Sequence, residues 1–330
     1  MHTIFNFFSC VHRRKCIRRS TIIYSRRERF IHSRRSVTTI RTKRNETLQE
    51  QTPSKKINFS FTAGLGISSG VSSEYVFENG KMISRLDWKQ YASPVMNASA
   101  TLSFFGAFVR CSVLSALPMK CGSLDDFDFL LAGSSLASQY SHHSVYLDKR
   151  FDFCAETGYA FTVGRYTLSP YAGVLYRMQK WAAYDGYLQY PTSGAWTGAE
   201  LKQQMSGNII SYEQSLLLPQ LSFRAACAVS ETWHITAWFS AVPYAVVNTL
   251  DSHFLRSKQF FDSLRGGFGF SAGAAVSYKK FSASVLYEWL SIKDGTTHSS
   301  AIGNTAALMK DTSTPGVKNW LITVRVSYTF

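Results

Sequence analysis

The chain has 330 residues, of which 45% are hydrophobic and 17% are charged, enough to bury, or to embed in lipid, a large surface in one or two domains. Its formal net charge is +15 and 15% of its residues are aromatic, but no stretch approaches the roughly 20 apolar residues that a spanning helix needs. These features argue against a helical membrane protein and favour β structure, because aromatic residues have high strand propensity and settle at membrane interfaces.

The first 54 residues differ from the rest of the chain in composition. Residues 1–50 hold 13 Lys and Arg residues against 3 Asp and Glu residues, including four adjacent Arg pairs. Such a tail can neutralise the phosphates of nucleic acid or of an anionic membrane. We favour a disordered or mis-assigned leader and expect no nucleic-acid partner. The leader has no apolar core of the roughly 7–15 residues that a secretory signal needs.

From Ile57 onward, apolar and polar residues alternate with a period of two, which is typical of strands that turn one face to lipid or core and the other to water. The final run, residues 320–330, is long enough to cross a bilayer when tilted. The pattern predicts an even number of strands, which suits a closed antiparallel barrel. The ten predicted strands are 57–74, 82–93, 99–117, 145–164, 167–184, 209–227, 233–249, 259–277, 281–293 and 316–330.

The predicted connections alternate between short turns and long loops. Val163-Gly164-Arg165 and Lys279-Lys280 are short turns, whereas 118–144, 185–208 and 294–315 are long. Bacterial barrels place their long loops outside the cell. The sequence therefore predicts an all-β fold over residues 55–330, a ten-stranded antiparallel transmembrane β-barrel with long extracellular loops. Its strands exceed the roughly 9–11 residues of a bare membrane crossing, so the barrel should project beyond the lipid.

Two short acidic motifs fall in the predicted loops or at the predicted rim. The first contains Asp126 and Asp128, and the second contains Asp251 and His253. In an extended chain, residues i and i+2 point to the same face. Two close carboxylates resist joint ionisation, and a carboxylate beside a histidine orients the ring and raises its basicity. The motifs together describe a site that activates water, although solvated turns would give the same pattern.

Other chemistry has little support in the sequence. It contains no P-loop, no HExxH, no GxSxG and no dinucleotide fingerprint. His142 and His143 lie in a predicted loop without partner ligands, and the six cysteines lack metal-ligand spacing. We therefore expect no metal and no cofactor. A disulfide between Cys111 and Cys121 stays open, since an oxidising periplasm would permit it.

The segments 74–77, 80–81 and 84–89 (EYVF, GK and SRLDWK) resemble the first hairpin of the omptin family of outer-membrane proteases. The similarity runs with gaps from about Ile57 to Phe330, although the long loops barely match. The resemblance implies a multi-pass barrel in a bacterial outer membrane, with its active site facing outside. In this family an Asp-x-Asp in one outer loop faces an Asp-x-His in another, across the mouth of a ten-stranded barrel.

The resemblance also implies roles for the two acidic motifs in an aspartic-type endopeptidase. His253 would be the general base and Asp251 its orienting partner. Asp126 and Asp128 would position the attacking water and stabilise the tetrahedral intermediate, without a covalent acyl-enzyme. Asp125 is a rival for Asp126, but we assign it as a solvated neighbour because the spacing before Phe129 favours Asp126 and Asp128.

Omptins prefer a basic residue before the cleaved bond, so the resemblance implies peptide or protein substrates with basic residues. Glu74 matches one substrate-binding carboxylate of the family, although a rim charge would occupy the same position. The second family carboxylate, expected two residues before Asp251, is Thr249 here, which puts a strict arginine preference in doubt. The resemblance further implies lipopolysaccharide as an activator bound outside the barrel. Lys180, Arg177 and Lys258 are candidate contributors.

Two other interpretations stay open on the sequence alone. The first is a proteolytically inactive omptin-like barrel that acts as an adhesin or a structural outer-membrane protein, as Thr249 and the remodelled loops would suggest. The second is an unrelated channel, although side chains nearly fill the interior of a barrel with so few strands.

Overall fold

The computed structural model describes residues 57–330, which form sixteen β-strands and two short 3-10 helices. The predicted leader, residues 1–54, lies outside the described residues, so the predicted domain division stays a prediction. Within the described residues, no helix is long and apolar enough to cross a membrane.

The elements are numbered in chain order. The strands are β1 (Asn58–Glu78), β2 (Lys81–Phe104), β3 (Ala107–Ala116), β4 (Met119–Asp128), β5 (Gln139–Tyr159), β6 (Phe161–Val163), β7 (Tyr166–Gln189), β8 (Gln203–Ala228), β9 (Trp233–Val242), β10 (Ala245–His253), β11 (Lys258–Gly266), β12 (Phe268–Tyr278), β13 (Phe281–Lys293), β14 (Thr296–Ala301), β15 (Met309–Lys310) and β16 (Thr314–Thr329). The 3-10 helices are Phe254–Arg256 and Thr305–Ala307.

Ten of these strands close a ring. Around the ring the order is β1, β2, β3, β5, β7, β8, β9, β12, β13 and β16, and β16 pairs with β1 again. Each neighbouring pair is antiparallel. Closure leaves no open sheet edge, which is the condition for a sheet to stand in lipid. The predicted antiparallel barrel is confirmed.

The barrel wall continues past one end of the ring as an extension built on β4, β10, β11, β14 and β15, together with the ends of the longer ring strands. The predicted loops 118–144 and 294–315 are therefore wrong in part, because they contain β4 and β14. Likewise, the predicted loop 185–208 shrinks to residues 190–202. Backbone groups in these segments pair with neighbouring strands instead of water, which local composition does not reveal.

The hairpin formed by β2 and β3 also differs from the predicted strand bounds. Predicted strands 82–93 and 99–117 misplace the break, since β2 continues to Phe104 and the turn falls at Phe105 and Gly106. Gly106 has φ +85°, a conformation that glycine adopts without steric cost. Pro94 lies within β2 and pairs with Ile67 beside a register shift, where an irregular ladder tolerates a missing N–H.

The outward face of the ring is apolar and its inward face is polar. Many large apolar side chains are exposed on the outside, as a barrel in lipid requires; they include Leu65, Ile67, Val109, Phe153, Leu221, Phe239, Val285 and Val326. Aromatic side chains cluster at the short-turn end, for example Trp233 with Tyr278 and Phe281 with Tyr328. This arrangement follows directly from the period-two alternation.

A network of buried charges crosses the lumen of the ring. Asp152 on β5 accepts hydrogen bonds from both Arg150 and Arg177, and Arg177 also donates to Glu288 on β13. These contacts tie three strands together across the lumen. Cys111 and Cys121 are both free, so the disulfide left open above is not formed.

A plug of three aromatic side chains separates the lumen from the extension. Trp88, Trp181 and Tyr212 are each at most 2% exposed, and their ring centroids lie 5.7–6.3 Å apart. Trp88 lies two residues after Leu86 on β2, and Leu86 pairs with Asp126, so the plug lies directly below the acidic residues of the extension.

Candidate active site

Strand β4 places the first acidic motif. Asp126 pairs with Leu86 on β2 and with Ser141 on β5. Because side chains alternate along a strand, Asp126 and Asp128 share the inward face of the extension. Both line one cavity above the aromatic plug. The motif is therefore part of the barrel wall and not of a loop.

Strand β10 places the second motif on the facing wall. Asp251 is 3% exposed, and its Oδ2 lies 2.6 Å from Nε2 of His253. An ionised carboxylate can only accept, so the Nε2–H donates to Asp251 and leaves Nδ1 of His253 as the acceptor. His253 thus presents a basic nitrogen while Asp251 holds its ring.

All five residues singled out from the sequence line the same cavity, whose volume is about 290 Å³. Asp126 and Asp128 approach it from β4, and Asp251 and His253 approach it from β10. Glu74, near the upper end of β1, is 3% exposed and lies inside the cavity instead of at a solvated rim. Segments that are far apart in sequence therefore meet at one place.

The carboxyl groups of Asp126 and Asp128 are hard to ionise together. Burial first, and the charge of Asp128 second, raise the pKa of Asp126 to about 7. Burial also raises the pKa of Asp128, against the opposing effects of the Arg256 charge and a hydrogen bond from Ser84. At neutral pH the pair can thus retain a proton, which is the behaviour of two carboxyls that share a site.

The pKa of His253 is also raised, but by its charged neighbours and not by burial. Burial lowers it, but the charge of Asp251 and the hydrogen bond to Asp251 outweigh burial, with a further contribution from Asp126. A raised pKa makes His253 a stronger base when it is neutral.

Three buried carboxylate oxygens in this cavity have no hydrogen-bond partner within residues 57–330. They are Oε2 of Glu74, Oδ1 of Asp126 and Oδ1 of Asp251. Buried acceptors are normally satisfied, so these oxygens are positioned to receive donors from a bound molecule or from water.

Asp125 points away from the cavity and corrects an expectation. It was expected to be a solvated neighbour, but it is 7% exposed and accepts hydrogen bonds from Lys89, Tyr140 and His142. These contacts hold β4 against β2 and β5. The opposite orientation of Asp125 separates it from Asp126, as the alternation predicted.

The histidine pair and two of the basic residues also differ from expectation. His142 and His143 lie in β5, where His142 contacts Asp125 and His143 contacts the carbonyl of Asp185. Arg177 belongs to the set of alternating polar residues of β7 that face the lumen, so its side chain cannot contact a lipid outside the barrel. Lys258 lies beside Asp311 and Phe260, which both line the cavity.

The sequence reasoning missed four charged residues of the cavity, which are Glu78, Arg256, Asp262 and Asp311. Arg256, in the 3-10 helix after β10, lines the cavity, and its position three residues after His253 was an available signal. Asp262 on β11 also lines the cavity. In the sequence, Asp262 alternates in step with Phe260 and Leu264, so these three side chains share one face of a strand. Alternation alone does not show that this face lines the site.

Comparisons with known proteins place this geometry in context. A family model described as the Omptin family matches residues 55–330. The plasminogen activator of Yersinia pestis is 23% identical over 286 residues, which is 83% of this chain and 90% of the relative. The outer membrane protease OmpT from Escherichia coli has a similar crystal structure, with a TM-score of 0.70 at 18% identity, covering 84% of this chain and 100% of that one. The structural likeness establishes the barrel fold.

Proposed function

The chain belongs to the omptin family, and on that premise we propose that it is an outer-membrane endopeptidase that hydrolyses peptide bonds with a water activated by Asp and His. One observation carries the proposal: Asp126 and Asp128 on β4 face Asp251 and His253 on β10 across a single cavity. The names of the two relatives, an activator of plasminogen and an outer membrane protease, support the same class of reaction.

The proposed mechanism assigns one task to each side chain. Nδ1 of His253 takes a proton from a water molecule, while Asp251 orients the ring and stabilises the imidazolium. Asp126 and Asp128 hold that water, and the proton retained by the pair is donated to the developing oxyanion. The water oxygen bonds to the peptide carbon. As the tetrahedral intermediate collapses, the carbon–nitrogen bond breaks, the imidazolium returns its proton to the leaving amine, and a hydroxyl proton of the intermediate returns to the Asp126–Asp128 pair. The proposed reaction is that of an aspartic-type endopeptidase.

The charge of the cavity supports a preference for substrates with basic residues. Seven carboxylic acids line it, and Arg256 is the one Lys or Arg side chain among its described lining residues. A cationic substrate side chain would relieve the repulsion among these acids and satisfy the free oxygen of Glu74.

The proposed location is the bacterial outer membrane, with the cavity facing outside. The extension and its longer connections stand at the end of the ring opposite the short turns, as bacterial barrels place their extracellular loops. Lipopolysaccharide is the proposed activator at the outer wall. Lys149 and Lys180 are direct cross-strand neighbours, and Tyr146 and Tyr184 pack together nearby on β5 and β7. Such a basic and aromatic rim suits a lipid headgroup.

The test is cleavage of a quenched peptide library by the refolded full chain, with and without lipopolysaccharide. We expect cleavage after basic residues by the wild-type protein and its loss in Asp128→Asn. Asp148→Asn, an exposed position on β5, is the matched control and should cleave like the wild type. A folded wild-type barrel that cleaves no peptide under either condition would refute the proposal and favour an adhesin or a structural role.

The pH dependence of cleavage should identify the base. His253 must be neutral to accept a proton, so activity should be lost as the pH falls through its raised pKa. Activity should also decline as the pH rises above about 7, because the Asp126–Asp128 pair then loses the proton that it donates. On the acid side, kcat/KM should fall about tenfold per pH unit. Asp251→Asn removes the charge that raises the pKa, so it should shift this acid limb to lower pH as well as reduce the rate. A profile that stays flat between about pH 5 and about pH 8 would contradict the role of His253.

A further inference from the structure

The position of Thr249 leads to a residue on the neighbouring strand. Thr249 on β10 pairs directly with Asp262 on β11. Its Oγ1 donates a 2.8 Å hydrogen bond to Oδ2 of Asp262, while Oγ1 of Thr297 on β14 donates a 2.7 Å bond to Oδ1. Two hydroxyls from two different strands therefore hold this carboxylate in one orientation.

Asp262 and Glu74 face the same cavity, and Arg256 of that cavity forms a salt bridge with neither of them. They are 6% and 3% exposed, and both line the cavity. Within residues 57–330, neither forms a salt bridge. Buried charges in proteins are normally paired, so two unpaired acids at one place indicate that their partner comes from outside residues 57–330.

The pKa shifts of Asp262 and Glu74 also favour a bound cation. Burial raises the pKa of Asp262 to about 6, although the Thr297 and Thr249 hydroxyls oppose the shift. Burial raises the pKa of Glu74 well above its usual value, and the charges of Asp251 and Asp262 raise it further. Because Asp262 acts on Glu74 electrostatically, a single bound cation would stabilise the ionised form of both.

We propose that Asp262 is a specificity-determining residue, which with Glu74 binds the guanidinium of a substrate arginine before the cleaved bond. This inference rests on the proposed function. The carboxylate missing at Thr249 is then supplied by the directly paired position of the next strand. Thr249 keeps a part in the site, because its hydroxyl orients the relocated carboxylate.

Arginine fits this arrangement better than lysine. A planar guanidinium carries five N–H donors and can contact two carboxylates at once, whereas an ammonium is a compact charge with three donors. Leu86 and Pro315 also line the cavity and offer apolar contacts to the aliphatic part of the side chain.

The first experiment measures kcat/KM for two peptides that differ only in arginine or norleucine before the cleaved bond. In Asp262→Asn, the ratio of arginine to norleucine cleavage should fall about 30-fold or more, as when one partner of a buried charged contact is lost. The double variant Asp262→Asn with Thr249→Asp returns a carboxylate to the paired position and should recover most of the ratio. An unchanged ratio in Asp262→Asn would overturn the proposal.

A second experiment separates this proposal from the proposed function. Binding of an arginine peptide to a His253→Ala variant, measured by calorimetry, requires no catalysis. Adding Asp262→Asn should weaken binding about 30-fold or more. Binding should also weaken as the pH falls below about 6, because Asp262 becomes protonated there. Equal affinity with and without Asp262→Asn would overturn the specificity role of Asp262, whether or not the wild-type protein cleaves peptides. If the wild-type protein cleaves nothing but its peptide binding depends on Asp262, only the proposed peptidase activity is refuted.

Discussion

Replacing His253 with alanine should lower kcat/KM for a basic peptide by about 10²- to 10⁴-fold, the usual contribution of a positioned general base. His253 lines the cavity and is held through Nε2 by Asp251. Alanine removes the imidazole nitrogen that accepts the proton of the water in the proposed mechanism. The measurement is cleavage of a quenched peptide by refolded wild-type and variant protein at matched concentrations.

The matched control is His234→Ala, because His234 is exposed on β9 at the opposite end of the barrel. It should cleave like the wild type, and both variants should retain the far-ultraviolet circular dichroism of the folded barrel. Wild-type activity in His253→Ala would exclude His253 as the base and would direct attention to the carboxyl pair of β4. A loss of activity in His234→Ala would indicate a general folding defect.

Replacing Asp152 with alanine should destabilise the barrel by about 3–5 kcal/mol, the cost of removing one partner from a buried charged network. Asp152 accepts two hydrogen bonds from Arg177, at 2.9 and 2.8 Å, and contacts Arg150 at 3.0 Å. Without it, Glu288 is the one carboxylate of residues 57–330 left in contact with the two buried guanidinium groups, and Arg150 keeps a hydrogen bond to Ser68. The free energy of unfolding can be measured by urea titration of the protein in lipid vesicles, followed by tryptophan fluorescence.

Asp148→Ala serves as the control for this titration, because Asp148 lies on the same strand but is exposed. We expect it to change the unfolding free energy by less than about 0.5 kcal/mol, as surface substitutions usually do. If Asp152→Ala were equally mild, water in the lumen would be solvating the arginines, and the network would not stabilise the ring.

The period-two alternation determined much of the fold from the sequence. It predicted the β-barrel and the antiparallel final strand, because a strand between lipid and a polar lumen must change polarity at every residue. The same rule placed Asp126 with Asp128 and Asp251 with His253. These are local properties, since they depend only on neighbours along one strand.

Strand ends were harder to predict because hydrogen-bond partners decide them. Residues 119–128 looked like a loop, yet β4 pairs on both sides with β2 and β5. Conversely, Phe105 and Gly106 lay inside a predicted strand but form a turn. Composition reports the preference of a segment, whereas the register of its neighbours determines whether its backbone is paired.

The sequence by itself determined the barrel, the alternation of its apolar outward and polar inward faces, and the two acidic motifs. Only the tertiary structure decided that these motifs share one cavity with Glu74, that Asp125 binds β4 to its neighbours, and that Asp262 stands beside Thr249. The physical reason is cross-strand register. It brings residues 13 positions apart, such as Thr249 and Asp262, to hydrogen-bonding distance, and no periodicity within a single strand encodes that pairing.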